Sequence, residues 1–203
     1  MNRVLSADFF ARDVATVARD LIGATIIRRS REGLTTGRIV ETEAYLSTGD
    51  TAAHSAGGVN RKNASMFGPP GRAYVYTIHA RQCVNVVTEA SGIGSAVLIR
   101  AVEPIDGIEL MGQRRGTDNR RDLCRGPARL CEAFAIDRKF DGWPLDFGRR
   151  LWLSPDGGNP MTVLSSVRIG VTSAEHLPLR YFAAENPFVS GTRKLNATGC
   201  PAH

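Results

Sequence analysis

Two carboxylates and a phenol fall within eight residues, Arg38-Ile39-Val40-Glu41-Thr42-Glu43-Ala44-Tyr45, and His54 follows nine residues after the phenol. The run is otherwise composed like a β-strand, in which side chains alternate between faces with a period of two. Alternation predicts Ile39, Glu41, Glu43 and Tyr45 on one side, with Val40, Thr42, Ala44 and Leu46 on the other. The second set suits a core, so the first is expected to open toward solvent or a cavity. Carboxylates beside an aromatic ring suit a site that grips a flat polar ligand and performs acid–base chemistry on it. The same pattern also describes an antiparallel strand with polar residues facing water.

Three further stretches bear on that choice. In Tyr74-Val75-Tyr76-Thr77-Ile78-His79-Ala80-Arg81-Gln82-Cys83-Val84-Asn85, Tyr74 and Tyr76 share a face, and His79 and Arg81 lie near the tip of a hairpin. A tip with an imidazole and a guanidinium can enter a DNA groove, the ring wedging between bases and the cation meeting phosphates. The tyrosines can equally serve as cross-strand packing. Arg100, alone in the apolar run Val97-Leu98-Ile99-Arg100-Ala101-Val102, is expected to face an anion: Glu41, Glu43 or a phosphate. Finally, Gly112–Arg129 holds six arginines, among them Arg125 and Arg129 around Gly126-Pro127. The free N–H groups of a helix opened there would attract an anion, and Arg125, Gly126 and Arg129 are expected to meet DNA backbone.

The elements that must position these groups are those of one compact domain spanning residues 1–203, with 1–5 and 191–203 expected to fray. The composition, 42% hydrophobic and 23% charged, is that of a globular protein. Net charge is +6, and only three of the 26 basic residues are lysine (Lys62, Lys139, Lys194). An arginine-dominated excess favours an anionic partner such as nucleic acid. The N-terminus lacks a signal-peptide core and no apolar run approaches a membrane span, so no membrane partner and a cytoplasmic location are expected. Cys83, Cys124, Cys131 and Cys200 form no CxxC pair, so no metal is expected. Cys124 and Cys131, seven apart, read as buried free thiols on one helix face.

An amphipathic helix is predicted from Ser6 or Asp8 through Leu21, with Gly23 ending it. Strands follow at Ala24–Arg29, Gly37–Tyr45, Ala73–Ile78, Cys83–Thr88 and Ser95–Glu103, helices at Ile105–Arg115 and Pro127–Ile136, and weaker strands at Leu151–Leu153, Val167–Val171 and Leu179–Ala183. The long polar segment between Leu46 and Gly71 is expected to be a functional loop. Without βαβ alternation, the order predicts an α+β domain: a largely antiparallel curved sheet flanked by helices, with a protruding hairpin.

Taken together, these residues resemble the alkyladenine (3-methyladenine, methylpurine) DNA glycosylases of the mammalian type. The resemblance covers roughly residues 5–190. It rests on Arg38–Tyr45, Ala53-His54-Ser55, Met66-Phe67 to Gly71, Tyr74-Val75-Tyr76, Val97–Pro104, Leu123–Cys131, Arg168–Val171 and Pro178–Phe182. It implies that Glu43 is the general base that activates water, and that Arg100 helps hold that water and the target nucleotide. It also implies that Tyr45, His54 and Tyr76 sandwich a flipped purine, while Asn85 excludes guanine by crowding its exocyclic amine. His79 falls where the family usually places a tyrosine that fills the gap left by the flipped base, and the hairpin tip is one residue shorter. The implied enzyme is a monofunctional, monomeric, cofactor-free N-glycosylase acting on damaged double-stranded DNA of the 3-methyladenine, 7-methylguanine and hypoxanthine class. With no lysine near the motifs except Lys62, no Schiff-base strand cleavage is expected.

Three other readings use the same residues. A sugar hydrolase needs two carboxylates flanking the bond, but Glu41 and Glu43, about 7 Å apart along one strand face, approach from one side. A metal-dependent hydrolase could recruit Glu41, Glu43, Asp50 and His54. A lesion-binding protein without chemistry would not need both Glu43 and Arg100.

Overall fold

A computed structural model describes residues 3–155 and 160–202. Its architecture is α+β, a single domain with nine antiparallel strands and five short helices among the described residues. The strands are β1 (Thr25–Arg29), β2 (Leu34–Tyr45), β3 (Ala73–Ile78), β4 (Arg81–Thr88), β5 (Ser95–Asp106), β6 (Leu151–Ser154), β7 (Val163–Ser166), β8 (Arg180–Ala183) and β9 (Cys200–Pro201). The long strand β2 organises the sheet. One edge pairs with β5 along most of its length, while the other is divided, its first half taking β1 and its second half taking β8 at Glu41–Glu43. The path β3-β4-β5-β2-β8-β7-β9 places the hairpin at one end and the C-terminal strand at the other.

The predicted N-terminal helix is two helices, α1 (Ala7–Phe10) and α2 (Val14–Asp20). Asp13 breaks it: its carboxylate accepts the Thr16 amide at 2.8 Å and caps a new start, whereas Ser6 makes no side-chain cap. The two halves keep one apolar stripe, so Phe10, Val14, Val17 and Leu21 still bury together against Ile39, Ala44, Val97 and Ile99. Helices α3 (Ile108–Arg115) and α4 (Pro127–Ala133) complete the cover of that face with Met111, Leu130 and Phe134.

Two β-bulges break the alternation read from the sequence. The β2–β5 register runs Ile39↔Val102, Glu41↔Ala101, Thr42↔Ile99, so Val40 is the extra residue on β2 and Arg100 the extra residue on β5. Ile39 therefore joins Thr42 and Ala44 on the core face, and Val40 joins Ala101 and Phe182 in a small cluster on the opposite face. The expected grouping of Ile39 with the carboxylates, and of Val40 with the core, is reversed by this insertion. A bulge adds twist and re-aims side chains. Here the two bulges turn Glu41 and Arg100 onto the same side.

Of the weaker strands, β6 and β8 form where expected, but Val167–Val171 is no strand; the neighbouring Val163–Ser166 pairs with β8 instead. The free thiols Cys124 and Cys131 are buried as anticipated, and Cys83 is buried too. Cys124 and Cys131 do not share a helix, because Cys124 precedes α4 and touches Met111 while Cys131 lies within it. The segment after Gly191, expected to fray, carries α5 (Arg193–Asn196), capped by Thr192, and the two-residue strand β9. At the other end, the Leu5 amide bonds Leu153 O.

The turn into α3 gives one stability test. Gly107 has φ +72°, and a Cβ there would lie 2.2 Å from the Leu34 carbonyl oxygen. Gly107→Ala is expected to cost about 1–3 kcal/mol, read as a lowered denaturation midpoint at unchanged slope.

Candidate active site

The face of the sheet opposite the helices carries Glu41, Glu43 and Tyr45 from β2 and Arg100 from β5. Both carboxylates were expected to open toward solvent or a cavity, and neither meets solvent. Each is fully buried, Glu43 against loop 167–174 and Glu41 against Arg180 and Ser190, and each is completely engaged. Glu43 Oε1 accepts the Ile169 amide at 2.8 Å, its Oε2 accepts the Tyr45 hydroxyl at 2.9 Å, and Arg100 approaches at 3.3 Å. Glu41 Oε1 accepts from Arg180 at 2.7 Å and from Arg100 Nε at 3.3 Å, and its Oε2 accepts the Ser190 amide at 2.7 Å. Arg100 thus faces both carboxylates, as expected of a lone cation in an apolar strand.

Identical side chains two residues apart are pushed in opposite directions. Burial drives the Glu43 carboxyl above the usual carboxylate range, and Arg100, the Ile169 amide and Tyr45 only partly offset this. Burial acts on Glu41 too, but Arg100 and Arg180 together outweigh it and hold that carboxyl below the usual range. Glu41 is thereby a permanent anion. The two carboxyls are thus pushed apart in their titration, a pattern common at acid–base sites. Arg100 stays cationic: burial opposes its charge, and Glu43 and Glu41 more than restore it.

Beside Glu43, one hydroxyl away across Tyr45, lies a cavity of about 250 Å³ lined by Tyr45, His54, Met66, Tyr74, Tyr76 and Asn85. This is just below the range of small-molecule sites, roughly 300–1,000 Å³. Its remaining wall is Thr51-Ala52 and Gly170–Ser173, with Ile78 at the rim. The structure thus gathers all four expected pocket residues. Strand alternation places Tyr74, Tyr76 and Ile78 on one face of β3, where the two tyrosines rest on Met66, Val87 and Ala96. His54 comes from the long loop, fixed by the buried Asn63, whose amide donates to the His54 and Gly58 carbonyls. Asn85 is buried and donates to Tyr74 O at 2.9 Å.

His54 and Tyr76 meet edge to face, centroids 4.5 Å apart at 74°. Two faces enclosing a ring need roughly 7 Å, twice a stacking contact, so no ring enters between His54 and Tyr76, and the two form one wall of the cavity together. The His54 Nδ1 lies 2.7 Å from the Tyr74 hydroxyl, and burial lowers the tendency of this imidazole to protonate. Tyr74 is pushed up to about 12 and Tyr45 and Tyr76 higher still, all chiefly by burial, so the lining is uncharged at neutral pH.

Several residues that set this geometry were missed. Arg168 and Asp50, both fully buried, form a bidentate pair at 2.6 and 2.7 Å that ties the two covering loops together. Arg168 also holds Ala44 O, and its guanidinium carbon lies 4.7 Å from the centre of the Tyr45 ring. Nothing in the spacing of residues 50 and 168 could have paired them. Arg180, an arginine in a short apolar strand, carried the same signal as Arg100.

The expected DNA-contacting residues sit apart from the pocket. Only His79 and Ala80 form the tip, both with positive φ, the backbone of a two-residue turn; Arg81 pairs with Ile78 and belongs to β4. His79 is exposed and outside the pocket lining, which Ile78 reaches instead. A shallow cavity of about 450 Å³ is shared by Arg81, Arg115, Arg125, Gly126 and Arg129. Within it, Arg125 donates to Val189 O and Gly191 O, and Arg129 pairs with Asp122 at 3.1 Å. Among the described residues no group of three or more His, Cys, Asp or Glu is placed to hold a metal, and no helix is long and apolar enough to cross a membrane.

An uncharged aromatic pocket beside a buried carboxyl whose titration is pushed up, with the exposed Arg81 on the neighbouring hairpin, suits an enzyme that handles a flat base. The comparisons with known proteins specify which. Residues 8–187 match the methylpurine-DNA glycosylase family. A relative from Rhodopirellula baltica is 48% identical over 92% of this chain and 83% of its own length. One from Mesorhizobium japonicum is 46% identical (90% and 88%), and one from Methanoculleus marisnigri is 45% identical (92% and 98%). All three carry the name 3-methyladenine DNA glycosylase as a provisional assignment. The chain belongs to the methylpurine-DNA glycosylase family. It is a DNA repair glycosylase, a hydrolase of N-glycosyl bonds, and its macromolecular partner is damaged DNA.

Proposed function

We propose that the enzyme flips alkylated or deaminated purines of the 3-methyladenine, 7-methylguanine and hypoxanthine class out of duplex DNA. Water activated by Glu43 then hydrolyses the N-glycosidic bond. The observation that carries this reading is the place of the Glu43 carboxylate, held between Arg100 and the hydroxyl of the cavity-lining Tyr45, with burial pushing its titration up. A general base works best when its titration lies near the operating pH. As the bond breaks, the sugar gains oxocarbenium character, which the carboxylate stabilises while it takes the water's proton. Arg100 orients that water and the nucleotide.

Alkylated purines carry positive charge and leave readily, and cation–π attraction of about 0.5–2 kcal/mol per contact favours them against Tyr45 and Tyr76. Asn85, buried and pinned to the Tyr74 carbonyl, is stiff enough to crowd an exocyclic amine. His79, with Ile78 beside it, fills the space left in the duplex, while Arg125, Gly126 and Arg129 meet the backbone. One chain supplies every residue of the site, consistent with a monomer. The three lysines are exposed and none lines the cavity, which favours water over an amine nucleophile and so a monofunctional enzyme. The metal-hydrolase alternative fits poorly, since Glu41, Glu43 and Asp50 are each committed to arginine.

The test is incubation with duplex oligonucleotides carrying one hypoxanthine or one 7-methylguanine. The expected product is an abasic site, with strand breakage only after alkali. Retention of both bases on a duplex that the protein binds would favour a lesion-binding protein without catalysis.

A further inference from the structure

We propose that Glu41 is a positioning residue for the reaction: it shares Arg100 with Glu43 and braces it, through Arg180, against the Ser190–Asn196 segment. The proposal rests on the reading of Glu43 as the base. Arg180 is fully buried and each of its nitrogens is engaged: Nε on Glu41 Oε1 at 2.7 Å, one terminal nitrogen on Ser166 Oγ at 2.9 Å, the other on Ser190 O and Asn196 Oδ1 at 3.2 and 2.8 Å. Asn196 in turn donates to Ser190 O, and the Ser190 amide donates to the second Glu41 oxygen. Arg125 grips the carbonyls on either side of Ser190 from outside. Glu41 is therefore the inner end of a buried, fully bonded strut, and its other side-chain contact is the Arg100 guanidinium.

A guanidinium offered two carboxylates settles between them. Nε faces Glu41 and a terminal nitrogen faces Glu43, each at 3.3 Å, longer than the 2.7 Å to Arg180. This divided allegiance keeps Arg100 from neutralising the base completely, and it stops the side chain from folding down onto Glu43 in a tight fork. The charged and titratable groups facing Glu43 are Arg100 on β5, Glu41 and Tyr45 on β2, Tyr76 on β3, Cys83 on β4 and Arg168 with the Ile169 amide in loop 167–174. Glu41 is the only other carboxylate among them. Removing its charge lowers the Glu43 titration twice over: a repelling neighbour is lost, and Arg100 is released to pair with Glu43 alone.

The experiment is the pH dependence of single-turnover base release by Glu41→Gln from a duplex carrying 7-methylguanine, a leaving group that needs no proton. The acid limb is expected to move to lower pH, and the plateau to fall about 10- to 100-fold, as for a misplaced orienting group. Binding of the lesion duplex should stay within about threefold of wild type. A purely structural role would reduce the folded fraction but leave the limb in place, and an unmoved limb with a wild-type plateau per folded enzyme overturns the proposal. Should Glu41→Gln fail to fold because Arg180 is left unpaired, the double variant E41Q/R180Q removes both buried charges together and is expected to show the same shift. Glu43→Gln in parallel separates the two ideas. If that variant retains full activity, the base assignment falls. If it is inactive while the Glu41→Gln limb is unmoved, only the positioning role falls.

Discussion

Glu43→Gln is expected to reduce base release by about 10²–10⁴-fold, the contribution of a positioned general base, while leaving affinity for lesion-containing duplex near that of the wild type. Gln keeps the shape of the side chain, can still accept the Ile169 amide, and leaves Arg100 paired with Glu41. The expected stability effect has the opposite sign. Because the Glu43 carboxyl titrates above its unfolded value, folding favours its protonated form. That contribution is complete below the unfolded pKa and is lost as pH rises through the folded one, so at neutral pH the ionised carboxylate is a liability to the fold. The variant should therefore be at least as stable as the wild type at pH 7, measured by thermal denaturation. Activity and stability trade against each other at such sites. A variant that is inactive because it is unfolded would contradict this account.

The second large effect lies at Asp50–Arg168. Asp50→Asn leaves a fully buried guanidinium without its counter-charge, which typically costs 3–5 kcal/mol and here should lower the melting temperature by roughly 6–20 °C. The Asp50 carboxyl is held below its ordinary value: burial raises it, and Arg168 with the Leu46 and Ala52 amides more than compensates. Its stabilisation is thus present above the unfolded pKa and lost as pH falls through the folded one. The wild type should lose this advantage over Asp50→Asn on acidification, and calorimetry across pH would show the two melting curves converging. The variant should also bind lesion DNA more weakly, since Arg168 backs the Tyr45 ring and joins the loops that wall the cavity.

How much of this could be read beforehand depended on whether the signal was local. Strands such as Ala73–Ile78 were legible because their alternation is their own, and Tyr45, His54, Tyr76 and Asn85 were legible through motif resemblance. The bulges at Val40 and Arg100 were invisible, since an inserted residue is defined only by its partner strand, and they reversed the facing of Ile39 and Val40. Arg100 signalled a buried ion pair because an arginine in an apolar strand requires one. Its sharing between two carboxylates, and the bracing through Arg180, emerge only when residues 59, 57 and 139 positions apart meet. Val167–Val171 looked like a strand by composition, but its Arg168 side chain and Ile169 amide are drawn into Asp50 and Glu43, contacts that no strand ladder could offer.

The central claim is that an ionised Glu43 drives bond cleavage. It is tested most directly by the single-turnover rate of 7-methylguanine release as a function of pH. The rate should be flat near neutrality and fall tenfold per pH unit below a midpoint above the ordinary carboxylate range, and this limb should vanish in Glu43→Gln. A wild-type rate independent of pH down into the ordinary carboxylate range, or an identical limb in the variant, would contradict it.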